Sequence, residues 1–291
     1  MNFIPIKYGK RNYPDGIKVS IQEIAGHFDV KSIKPYMDYS LHTEYAYGGR
    51  KFSNSVVSQL ETIKNSHKNS VPKLWLNEQW SREFCLFIKG IVDTHQPPKI
   101  IEIHPPFNDY CASIDKFTDV YRIFEEELIS FFPDTEILIE NRCGSTYAGG
   151  RFLISTVNDI RDLCEVVLRK KMKLRAVLDF PQLFSSYNLS PYRFSENNIK
   201  EVIRPLKELR DFIAGIHIWG KTKSTKGRIV SHCGNLDTYF ISPMLKEVFM
   251  SELKEIFNDD KARYFVPEVN SNDKDLDSIV QDYIRNGFSF V

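Results

Sequence analysis

The chain has no Cys-x-x-Cys pair, no long apolar run and almost no net charge, and each of these gaps excludes something. Five cysteines (Cys85, Cys111, Cys143, Cys164, Cys233) form an odd number without ribbon-like spacing. That argues against a disulfide framework or a zinc ribbon and for a reducing, cytoplasmic setting. Met1 to Tyr8 lack the apolar stretch of a signal peptide, and no later window approaches a membrane span, so no membrane partner is expected. A formal net charge of +1 argues against a strong, indiscriminate phosphate binder. No internal repeat and no low-complexity tract is visible. What remains is an ordinary globular composition, 42% hydrophobic and 26% charged over 291 residues, enough for one large core. A single domain over 1–291 is therefore expected.

From residue 80 onward, strand and helix patterns alternate. The spacing predicts strands at 99–104, 136–140, 174–179, 214–218 and 263–268. Helices are predicted at 81–95, 113–131, 156–171, 199–210, 243–257 and 275–286. The strands are short, β-branched and continuous rather than alternating, as buried parallel strands are, and alternation with helices implies a closed parallel sheet. The N-terminal third predicts a strand within 2–7, a short helix near 19–27, a second strand around 31–37 and a third strand ending at His42. The stretch from 43 to 79 is too long for a plain connection. It is expected to be an insertion near the barrel mouth, with a helix over Ser53 to Lys64 and with Trp75 and Trp80 as core.

Nearly every predicted strand ends on an imidazole or a carboxylate: His42, His104, Glu140, Asp179, His217 and Glu268, with His232 a little further on. Several charged residues buried together at strand ends are costly without a counter-ion, so the set points to a metal site on the C-terminal face of a (β/α)8 TIM barrel. Each histidine taken singly has a bland alternative as a hydrogen-bonded structural residue, and Glu102 reads as merely outward-facing.

The stretch Ile137-Leu-Ile-Glu140-Asn-Arg-Cys-Gly-Ser-Thr-Tyr-Ala-Gly-Gly150 resembles the strand and loop of the class IV apurinic/apyrimidinic endonucleases. Asp179-Phe-Pro-Gln182 resembles their Asp-Thr-x-His segment, and Ile103-His104-Pro105 their His-Pro-Gly. His217-Ile-Trp-Gly-Lys221 and Val230-Ser-His232 lie over two further motifs, so the likeness runs from about residue 38 to the end. It implies an α/β fold of the xylose-isomerase-like TIM-barrel kind. It also implies one ion on His42, His104 and a bridging Glu140, and a second ion on Glu140, Asp179, His217 and Glu268. Gln182 and Val230 stand where the third site needs ligands, so only His232 of that site remains, placed to ligate or to bind a phosphate or sugar hydroxyl. Two divalent ions are thus expected, with zinc favoured by the resemblance and manganese or iron equally suited to nitrogen and oxygen donors.

The reading of first choice is a metal-dependent phosphodiester hydrolase acting on damaged DNA or another phosphoester. Glu140, Glu268 and Asp179 would serve its catalytic centre. Lys221, Lys223, Lys226 and Arg228 form a basic loop whose bland reading is a solvated turn. In this setting they would meet phosphates, and Tyr147, Tyr187 and Gln182 would line the groove. The alternative is a one-metal sugar isomerase or epimerase, in which Glu140 and Glu268 move protons beside a carbonyl and the partner is a sugar or phosphorylated small molecule. An iron-dependent oxidase and a non-catalytic nucleic-acid binder complete the range.

Overall fold

The structure is a computed structural model that describes residues 2–47, 57–144, 147–224 and 226–291. Eight parallel strands form the main sheet: β1 (Asn2–Lys7), β2 (Ile21–Gly26), β3 (Asp38–Thr43), β4 (Ile100–Ile103), β5 (Glu136–Glu140), β6 (Arg175–Asp179), β7 (Ile213–Ile218) and β8 (Ala262–Pro267). They are hydrogen-bonded in chain order, and β1 pairs with β8 through Asn2 to Pro5 against Ala262 to Phe265, which closes the sheet. From β4 onward a helix follows every strand, the arrangement of a (β/α)8 TIM barrel. A two-residue strand, Ser289–Phe290, adds to β1. No helix among the described residues is long and apolar enough to cross a membrane.

By its contacts the chain divides into two compact units. The first comprises residues 1–22 and 177–291. Its helices are Phe180–Ser186, Glu196–Ile203, Leu236–Phe240, Pro243–Ile256 and Asp273–Arg285. Its core is aromatic: Phe3, Phe265 and Tyr283 lie ring to ring at 4.8 to 5.6 Å, and all three are fully buried. The second comprises residues 23–176, with helices Glu61–Asn65, Glu78–Ile91, Ile114–Phe131 and Val157–Lys170. There Trp75, Trp80, Phe84, Phe117 and Phe124 form the cluster that joins the 57–79 segment to the helices, so both tryptophans are core as expected.

Most predicted elements from residue 80 onward are found within a few residues of their expected bounds. The 199–210 helix begins earlier, at Glu196. It continues as a 3-10 turn over Arg204–Leu209, where Pro205 lacks the N–H that an α-helical turn requires. The N-terminal third departs more. Residues 19–27 hold strand β2 instead of a helix, and 31–37 contain no strand. The pairing of Ile6 with Ile21 and of Lys7 with Gln22 overrides the local helical pattern. Gly26 then lets the chain pass Leu41, whose Cδ1 would lie 2.8 Å from any Cβ at that position. The predicted helix from Ser53 falls partly outside the described residues, and its described end is the helix Glu61–Asn65. The Glu83 carboxylate accepts from the amides of Thr62 (3.1 Å) and Ile63 (2.9 Å) and so caps that helix.

Candidate metal centre

In the second unit, three adjacent or near-adjacent strand ends deliver His42 (β3), His104 (directly after β4) and Glu140 (end of β5). Strand pairing in register, His42 opposite Glu102 and Ile103 opposite Ile139, sets them at one level. All three are buried, and one donor atom from each lies within 4.8 Å of the others. The His104 Nε2 is 2.9 Å from Glu140 Oε2, the His42 Nε2 is 3.7 Å from the same oxygen, and the two imidazole centroids are 4.8 Å apart.

Surrounding groups orient each ring. His104 Nδ1 lies 3.1 Å from the Glu44 carbonyl oxygen, which only accepts, so that nitrogen carries the proton and donates. Burial pulls the His104 pKa down to about 4, against the raising influence of Glu140, and leaves the ring neutral at pH 7. Its Nε2 then presents a lone pair to a carboxylate oxygen. Two acceptors held 2.9 Å apart repel unless a cation or a proton serves both. The indole N–H of Trp75 donates to the His104 carbonyl at 2.7 Å and fixes the backbone. Trp75 itself has φ of +59°, a strained conformation for an aromatic residue that its complete burial holds in place.

His42 Nδ1 lies 3.3 Å from Glu23 Oε1. Burial lowers its pKa, but Glu23, Glu140 and Glu102 more than offset this and raise it to about 9. An imidazole whose second nitrogen is held by a carboxylate, and another held by a backbone carbonyl, is the outer-shell pattern of histidine metal ligands. Two nitrogens, one oxygen, full burial and preset orientation together fit a divalent cation.

Glu23 was not expected, because the helix predicted at 19–27 hid it. Glu102, expected to face outward, is buried and accepts from the Ser40 hydroxyl at 2.7 Å. Tyr147 packs against Phe107 with centroids 5.0 Å apart, and its hydroxyl donates to Asp109 at 2.9 Å. Gly150 leaves room for that ring, since a Cβ there would lie 2.5 Å from it. Tyr147 is thus a packing residue of its loop.

The first unit holds the other expected residues. Asp179 caps the helix Phe180–Ser186: one carboxylate oxygen accepts from the Gln182 amide and the other from the Trp219 indole N–H, both at 2.9 Å. His217 Nδ1 lies 3.2 Å from Glu268 Oε1, and His232 Nδ1 lies 3.3 Å from Glu268 Oε2. Burial pushes the Glu268 carboxyl up, but the two imidazoles hold it well below the usual carboxylate range. The His232 ring stacks on Trp219 at 4.2 Å. Asp179, His217 and Glu268 do not bring three donor atoms within 4.8 Å of one another among the described residues.

In the basic loop, Lys221 is buried and donates to the Ser185 hydroxyl at 3.0 Å, whereas Lys223, Lys226 and Arg228 are exposed, and Lys221–Lys223 pairs antiparallel with Ile229–Ser231. Lys223 lies over the Tyr192 ring, and Tyr187 is 37% exposed.

No protein-family model and no curated protein matches the chain. Among solved structures it is similar to the GH53 catalytic domain of Ignisphaera aggregans (9% identity, TM-score 0.43, covering 85% of this chain and 73% of that one). It is also similar to a xylose isomerase domain protein from Planctomyces limnophilus (10%, 0.42, 85% and 87%). Active domain 2 of the chitinase from Pyrococcus furiosus gives 11% identity and a TM-score of 0.39 over 86% and 74%. The assignment of this chain to the TIM-barrel class rests on its own strand order and on the pairing of β1 with β8.

Proposed function

We propose that the protein is a divalent-metal-dependent phosphoester hydrolase, related in chemistry to the class IV apurinic/apyrimidinic endonucleases, with damaged DNA as its first candidate substrate. The observation that carries this reading is the convergence of His42, His104 and Glu140 on one buried point.

A divalent ion held there supplies Lewis acidity, lowering the pKa of a bound water to about 7 and stabilising charge on phosphoryl oxygens. His42 and His104 would hold it through nitrogen and Glu140 through oxygen. Zinc is favoured by the resemblance, and manganese or iron satisfies the same donors. Glu23 and the Glu44 carbonyl hold the two rings in orientation toward Glu140. In the first unit, Glu268 sits between His217 and His232, which keep its carboxylate ionised and fix its position. The exposed Lys223, Lys226 and Arg228 are the phosphate-contacting candidates of this reading.

The test is metal analysis of purified protein followed by cleavage of an abasic-site duplex with zinc, manganese or iron added. Bound metal together with cleavage that chelation abolishes is expected. Metal without cleavage redirects the search to another phosphoester, and no metal uptake under any supplement ends the proposal.

A further inference from the structure

We infer that a surface pocket around Tyr192 and Ile241 takes one unpaired base of a DNA strand, with Lys223 and the neighbouring cations on the strand's phosphates. The inference rests on the choice of DNA in the preceding reading and not on its metal. Pro191, Tyr192, Lys223, Ile229, Thr238 and Ile241 are among the residues around a space of about 210 Å³, and all belong to the first unit.

Two side chains of this pocket stand where the backbone favours glycine. Ser190 to Arg193 is a tight turn closed by the Arg193 amide on the Ser190 carbonyl at 2.9 Å, with Pro191 second and Tyr192 third at φ of +74°. A positive φ at that third position ordinarily selects glycine or asparagine. Ile241, which follows the helix Leu236–Phe240, has φ of +65°, and a β-branched residue in that region is a steric outlier. Burial explains neither. Unlike Trp75, which is strained but enclosed, Tyr192 is 62% exposed and Ile241 46%, with Ile229 exposed beside them. Strained backbone that presents clustered apolar side chains to solvent marks a surface kept for a ligand.

Charge decides the kind of ligand. Lys223 pairs directly with Ile229 across two antiparallel strands, so the two side chains share a face, and the Lys223 ammonium lies 4.4 Å from the Tyr192 ring centroid. Two lysines and no carboxylate line the pocket, and from Trp219 to Ser231 the chain carries four cationic residues and no acidic one. That selects an anionic partner. The space is smaller than the roughly 300 to 1,000 Å³ of pockets that enclose a drug-sized molecule, so it suits one ring system of a longer chain. A base stacked on an aromatic ring, with the backbone on nearby cations, is how single strands are held. Bases paired within a duplex are stacked on one another, so the base taken here is an unpaired one.

The experiment is a fluorescence anisotropy titration of the protein as purified with labelled single-stranded oligo-dT and with a strand of equal length and charge that lacks bases. Wild type is expected to bind oligo-dT the more tightly. Tyr192→Ala is expected to weaken oligo-dT binding by about 5- to 100-fold, as loss of one stacked base does, and to leave the baseless strand within twofold. Tyr192→Phe should keep wild-type affinity. Lys223→Ala should weaken both strands and lower the salt slope by about 0.7, one phosphate contact. Oligo-dT affinity within twofold of wild type in Tyr192→Ala overturns the inference, as does equal binding of the two strands by wild type. So does a change of oligomeric state in Tyr192→Ala with DNA binding unaltered, which would give the pocket to a second copy. Failure to bind either strand by protein that carries metal and cleaves a phosphoester overturns this inference alone. The expected binding by protein that takes up no metal upholds it and overturns only the metal chemistry. Should Tyr192→Ala not fold, Ile241→Gly, which relieves the positive φ, carries the same comparison, with weaker oligo-dT binding expected at an unlowered melting temperature.

Discussion

The two histidine and carboxylate clusters use the same residue types at strand ends and differ in what those residues face. In the second unit, His42, His104 and Glu140 face one another, and Glu23 and the Glu44 carbonyl lie against the other nitrogen of each ring. In the first unit, Asp179 is taken up by the Gln182 amide and the Trp219 indole, and Glu268 by two imidazoles. A strand-end carboxylate is therefore not a metal ligand by position alone. What distinguishes the two sets among the described residues is convergence: His42, His104 and Glu140 bring one donor atom each within 4.8 Å of the others, and Asp179, His217 and Glu268 do not.

The largest expected effect that tests this contrast is Glu140→Ala. Removing the oxygen that both imidazoles face should cut metal affinity by at least about a hundredfold and abolish metal-dependent activity, read by equilibrium dialysis and turnover. Metal retained at wild-type affinity would erase the distinction between the clusters.

Asp179→Ala should act differently. It removes a helix cap and the acceptor for a buried indole N–H, which costs about 2 kcal/mol of stability in a denaturant melt and leaves the His42, His104 and Glu140 ion in place. Asp179→Asn keeps one acceptor oxygen and turns its NH2 toward the second donor, so it should cost about 1 kcal/mol, less than Asp179→Ala. Metal stoichiometry falling from two to one in Asp179→Asn would instead make the first-unit cluster a second metal centre.

The third expectation concerns protons. With its pKa raised to about 9, His42 is protonated in the metal-free protein at neutral pH, so an ion must displace that proton. Affinity should rise by up to about tenfold per pH unit from pH 6.5 toward pH 9 and then level off, with proton release visible as a buffer-dependent enthalpy. The ion pair with Glu23 stabilises the metal-free fold fully below about pH 6.5, the unfolded value, and that contribution is lost as pH rises through about 9. A flat affinity profile over that range would place the proton elsewhere.

The smallest effect is expected from Glu83→Gln. Glu83 resembles Asp179 in capping a helix, with burial pushing its carboxyl up and the Ile63 and Thr62 amides outweighing that to hold it below the ordinary value. Losing one acceptor should cost about 1 kcal/mol at pH 7 with metal binding unaffected. The contribution of the wild-type carboxylate is present above the ordinary carboxyl range and is lost as pH falls through its depressed value, so variant and wild type should converge in acid.

Much of the barrel was legible because buried parallel strands and amphipathic helices write different periods into the chain. Ile100 to Ile103 is mostly isoleucine and Ile137 to Ile139 is a continuous apolar run, and Val157 to Lys170 opens on a Thr156/Asp159 capping box. Strand β2 was not legible. Ile21-Gln-Glu-Ile-Ala-Gly26 carries a helix-like local pattern, and only its pairing with β1 makes it a strand. Glu23 was lost with it, and Glu102 looked like a surface carboxylate because a period of two cannot say which face of a strand is the inner one. Tyr147 looked like a groove residue, and the Gly150 backbone that accommodates its ring gives no such signal in one dimension.

By itself the sequence set the strand-helix alternation from residue 80 onward and put an imidazole or carboxylate at the end of most buried runs, because a charge is least costly where a strand leaves the core. Tertiary structure decided which of those charges meet. His104 and Glu140 are 36 residues apart and come to 2.9 Å through strand register, whereas Asp179 is turned to Trp219, 40 residues away. Register and side-chain packing are long-range properties, settled by the summed pairing of whole strands and not by any local window.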